Sequence, residues 1–73
     1  MNVDNLVHMA NDIGDFFKAE PVREDAVAGI AAHLKRFWDP RMRRQIVAHA
    51  REGGAGLNDA VRAAVLLLPE NQG

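Results

Sequence analysis

The sequence predicts an all-α fold, a small bundle of three to four short helices, and three observations predict it. Apolar residues recur at spacings of three and four in successive segments, the period of a helix with one buried face. No stretch alternates apolar and polar residues with the period of two that a half-buried strand requires. Glu20-Pro21, Asp39-Pro40, Gly53-Gly54-Ala55-Gly56 and Pro69 punctuate the chain at intervals suited to short helices.

The first helix is expected from Val3 to Phe17, with Leu6, Met9, Ala10, Ile13, Phe16 and Phe17 as its apolar face. Asn2 or Asp4 can accept backbone N–H bonds at its start. Glu20-Pro21 closes the region, because a residue before proline is pushed out of the helical basin. The second helix is expected from Arg23 to Phe37, with Ala26, Val27, Ile30, Ala31, Leu34 and Phe37 turned inward. Glu24 and Asp25 in its first turn and Lys35 and Arg36 in its last complement the helix dipole. Gly29 in its middle costs about 1 kcal/mol relative to alanine, and a close helix crossing would offset that cost.

Asp39 reads as the N-cap of a third helix and Pro40 as its first residue, where a missing N–H costs nothing. Met42, Ile46, Val47 and Ala50 form its apolar stripe through Arg51, and the glycine run stops it. A fourth helix starts at the capping residue Asn58 and carries Val61, Ala64, Val65 and Leu68. Pro69 ends it, leaving 69–73 as an expected frayed tail of a single domain spanning 1–73.

A domain of 73 residues buries only about 60% of the surface its unfolded chain exposes. Such scaffolds usually rely on a disulfide, a metal or a partner chain. Cysteine is absent, and much of the apolar content is alanine, with three Phe and one Trp as the large rings. The core is therefore expected to be thin, and a partner is the staple that remains. No run approaches the roughly 20 apolar residues of a membrane span. Asp4 and Asp12 near the start are unlike a signal peptide. A cytoplasmic protein with no membrane contact is the expectation.

Charge is unevenly distributed within a net −1. From Met1 to Ala32 six acids face two bases, giving −4, and from His33 to Arg51 six bases face Asp39 alone, giving +5. A basic segment of this kind suits nucleic acid, phosphate groups or an acidic protein surface.

Chemistry is hard to assemble from these residues. His8, His33 and His49 share no spacing of three or four that would put two metal ligands on one helix face. Serine, threonine, cysteine and tyrosine are all missing, which removes hydroxyl and thiol nucleophiles. The glycine run lacks the Lys-Ser/Thr ending of a phosphate-binding loop. Neither catalytic nor cofactor nor metal residues are expected.

The segment His33-Leu34-Lys35-Arg36-Phe37-Trp38-Asp39-Pro40-Arg41-Met42-Arg43-Arg44 asks for another explanation. If Phe37 completes the core, Trp38 turns about 100° away from it. Tryptophan and arginine dominate binding hot spots. Trp38, Met42, Arg36, Arg41, Arg43 and Arg44 are thus expected to bind a partner, with Phe37, Asp39 and Pro40 in structural roles. The competing reading has Trp38 closing one end of the bundle and the arginines forming a solvated face.

These residues also carry a resemblance. Through His8-Met9-Ala10-Asn11-Asp12-Ile13-Gly14-Asp15-Phe16-Phe17, Ala26 to Ile30, and above all His33 to Arg43, the chain resembles the delta subunit of the soluble bacterial NAD-dependent formate dehydrogenases that carry molybdenum or tungsten. The likeness spans nearly the whole chain, with spacing rather than a motif from Gly54 to Gly73.

The resemblance implies a non-catalytic accessory subunit of an enzyme that oxidises formate to carbon dioxide and reduces NAD. Molybdopterin with Mo or W, Fe–S clusters and FMN would then lie on the larger subunits. The catalytic alpha subunit is the expected dock, and self-association is expected when the partner is missing. A transient factor for pterin insertion is the alternative. A small nucleic-acid-binding module is disfavoured by the net charge of −1.

Overall fold

The computed structural model describes residues 2–69 and contains four helices: α1 (Val3–Phe16), α2 (Arg23–Phe37), α3 (Pro40–Arg51) and α4 (Asp59–Leu66). Among these residues there is no strand, and no helix is long and apolar enough to cross a membrane. The expected tail lies, beyond Pro69, outside the described residues.

Local chemistry explains where the helices start and stop. The Asn2 side chain accepts the Asp4 N–H at 2.8 Å, satisfying one of the donors left free at the start of α1. Asp39 does the same for α3, accepting the Met42 N–H at 2.9 Å, with Pro40 as the first helical residue. At the other end of α3 the Gly53 N–H donates to the Ala50 carbonyl at 3.2 Å and the Gly54 N–H to the His49 carbonyl at 2.9 Å. This Schellman arrangement needs a left-handed residue just past the cap, and Gly53 supplies it with φ +115°.

The helices enclose one core of Leu6, Val7, Ala10, Ile30, Leu34, Trp38, Ile46, Val47, Ala50, Val61, Ala64, Val65 and Leu68. Along α2 the buried line is Ala26, Ile30, Leu34, Trp38, a ridge of residues four apart. At 3.6 residues per turn, each step along such a ridge advances about 40° around the helix. By the end of α2 the inward line has moved past Phe37 and reached Trp38.

The sequence reading of the two rings is therefore corrected. Trp38 is 5% exposed and Phe37 is 65% exposed. Trp38 closes the bundle, and Phe37 stands outside. The same drift corrects α1, where Val7 is buried while Met9 and Phe16 face outward.

Two glycines set how closely the helices approach. A Cβ on Gly14 would lie 2.4 Å from Val61 Cγ2, so α1 meets α4 at a point only glycine allows. A Cβ on Gly29 would lie 2.5 Å from Phe17 Cε1. The close approach expected at Gly29 is thus present, but a ring beyond the end of α1 makes it.

Candidate docking surface

The junction between α2 and α3 is built from both sides of the boundary. The Trp38 N–H donates to the Leu34 carbonyl at 3.0 Å, closing α2, and its indole packs into the core. The last carbonyls of α2 have no helical partner of their own. Arg43, one turn into α3, supplies donors: its Nη1 reaches the Lys35 carbonyl at 3.2 Å and also the Trp38 carbonyl. A cation there also meets the negative end of the α2 dipole. Arg43 is therefore turned inward as a clamp, which corrects its place among the partner-binding arginines.

The outer side of the junction has a different character. The Phe37 ring lies 4.6 Å from the His33 ring, centroid to centroid, at an interplanar angle of 41°. The Arg36 guanidinium sits 5.6 Å from the Phe37 centroid, within cation–π range. His33 and Phe37 are four residues apart and share one outward row of α2. Lys35, Arg36, Arg41 and Arg44 are exposed, and none forms an ion pair among the described residues.

Two shallow depressions open beside them. One, of about 330 Å³, is lined by Asp39, Arg41, Met42 and Gln45. The other, of about 420 Å³, is lined by Asp39, Pro40, Arg41 and Arg44. Met42 is half-buried against the core, with part of its side chain at the first depression.

Of the residues expected to meet a partner, Arg36, Arg41 and Arg44 are thus exposed, Arg41 and Arg44 lining one depression, and Met42 is half-buried. Trp38 and Arg43 are directed into the junction. Asp39 and Pro40 hold the structural positions expected of them, and Phe37 does not. Phe37 is the surface residue that sequence reasoning missed. Its signal was the four-residue ridge, which continues to Trp38.

A second exposed ring stands elsewhere. Phe16 is 81% exposed and meets Phe17 edge-on at 5.4 Å. Its surroundings along α1 are acidic, with Asp12 and Asp15 exposed and Asp15 paired to Lys18 at 3.1 Å.

The glycine turn after α3 is pinned to α1 by a residue not singled out in the sequence reading. Asn11 Nδ2 donates to the Gly56 carbonyl at 2.8 Å, and Asn11 Oδ1 accepts the Asn58 N–H at 3.0 Å. His49 Nε2 donates to the Ala55 carbonyl at 2.8 Å. Among the described residues no group of three or more His, Cys, Asp or Glu is placed to hold a metal ion.

Comparison with known proteins identifies a family. The family described as NADH-dependent formate dehydrogenase delta subunit (FdsD) matches residues 5–65, from the first turn of α1 to the last turn of α4. No curated protein and no solved structure matches.

Proposed function

Because the chain belongs to the NADH-dependent formate dehydrogenase delta subunit family, we propose that it is a non-catalytic accessory subunit that binds the larger subunits and stabilises their assembly. The observation that carries this reading is an aromatic ring held in solvent by a chain of only 73 residues. Phe37 is exposed although fully burying a ring of this kind contributes about 1.5–3 kcal/mol. A larger neighbour recovers that energy on docking.

In this reading molybdopterin, the Fe–S clusters and FMN are carried by the other subunits. This chain does not fit an iron–sulfur cluster. It has no cysteine for an iron–sulfur cluster, and the described residues offer no cluster of metal donors. Serine, threonine and tyrosine are missing as well, so no hydroxyl nucleophile is available for covalent catalysis. The catalytic alpha subunit is the proposed dock, in a cytoplasmic complex.

The test is affinity purification of the tagged chain from cells producing the complete enzyme. The expected result is recovery of the larger subunits in fixed ratio, with less assembled enzyme when the chain is deleted. Recovery of the chain alone, with undiminished enzyme in the deletion strain, overturns the reading. Recovery only with cofactor-free enzyme replaces it with a maturation role.

A further inference from the structure

We propose that the outer side of the α2–α3 junction, with the exposed Phe37 under Arg36 and the exposed Lys35, Arg41 and Arg44 on the adjoining stretch of chain, docks on an apolar pocket rimmed by carboxylates on a larger subunit. The proposal rests on the accessory-subunit reading and adds the surface and the chemistry of its partner.

Charge complementarity selects the occupant. Four exposed cations lie on this stretch of chain without an acid to pair with among the described residues. The one local carboxylate, Asp39, has an oxygen committed to the Met42 N–H. Carboxylates on a partner supply what this side lacks, steering encounter and setting register. The Phe16 end differs, because Asp12 and Asp15 near it in the chain are acidic and Lys18, two residues on, is already paired.

The junction is also prepared for contact. His33 and Arg36 flank the Phe37 ring, and such contacts favour the outward position from which it would bind. Beneath it, the Asp39 cap and the Arg43 clamp hold α2 and α3 at a set angle. A central aromatic anchor within a charged rim is the usual anatomy of a hot spot. A polyanion such as nucleic acid fits less well, since residues 1–32 carry a charge of −4 and would repel it.

The full-length tagged chain is captured with the larger subunits as wild type, F37A, the triple reversal R36E/R41E/R44E, and the control F16A. F37A is expected to weaken capture at least tenfold, and F16A to stay within about twofold. Wild-type capture is expected to weaken with added salt, and the triple reversal to lose capture at low salt. Unchanged melting temperatures establish that the variants fold.

Capture of F37A and the triple reversal at wild-type strength overturns the proposed surface while leaving the accessory role standing, because the wild type still brings down its partners. Failure of the wild type overturns both. The surface is also overturned if F37A alters only self-association in size-exclusion chromatography, or only the retention of a DNA duplex.

Discussion

Replacing Trp38 by alanine removes a ring that is 5% exposed and ends the ridge Ala26, Ile30, Leu34, Trp38. A buried tryptophan truncated to alanine costs about 3–5 kcal/mol, from lost transfer energy and the cavity left behind. At about 0.05–0.15 kcal/mol per residue, 73 residues give a total stability of about 4–11 kcal/mol. W38A therefore removes a large share of what holds the bundle together. For a domain of this size each kcal/mol moves the midpoint by about 4–8 °C, so the expected drop is about 12–40 °C.

F37A supplies the contrast one residue away. Its ring is 65% exposed, and such surface changes stay within about 0.5 kcal/mol. Far-UV circular dichroism melts of the full chain measure both. Trp38 is the sole tryptophan, so the fluorescence of the wild type and of F37A reports its burial directly. A W38A midpoint within a few degrees of wild type, or an indole quenched by acrylamide as readily as free tryptophan, refutes the packing assigned to it.

The glycine approach and the asparagine clamp give two further expectations. G14A places a Cβ 2.4 Å from Val61 Cγ2, so it is expected to lose about 1–3 kcal/mol by overpacking despite its better helix propensity. In urea denaturation G14A/V61A should then lose at least 0.5 kcal/mol less than the sum of the single variants, and strict additivity would count against the contact. N11A removes the bonds to Gly56 and Asn58 and is expected to cost about 1–2 kcal/mol. It should also speed exchange of the Asn58 amide without affecting those in the middle of α2, and an unchanged Asn58 rate would show that the clamp does not hold α4.

Much of the fold is legible in the sequence because the signals that start and stop a helix act over a few residues. Asn2, Asp39-Pro40 and the Gly53 stop each work through bonds to backbone groups close by in the chain. The bounds of α2 and α3 follow from them and from the proline and charge pattern. The apolar stripes of α3 and α4 are legible too, since each is short enough that a three-four pattern has one buried face. The family resemblance also rests on residues that can be quoted from the sequence alone.

The identity of the exposed ring was not legible, and nor was the direction of Arg43. Periodicity marks an apolar face, but which row of that face goes deepest depends on how the neighbouring helices cross it. On α2 that choice sends Trp38 inward and Phe37 outward, reversing the roles that helical spacing alone suggests. Arg43 and Asn11 bind carbonyls and amides that reach them only once the chain has turned back on itself. By itself, then, the sequence determined the helices, the caps of α1 and α3 and the surplus of positive charge, all of which depend on near neighbours. Only the tertiary structure decided which of the two rings is left exposed, because that depends on contacts between helices distant in the chain.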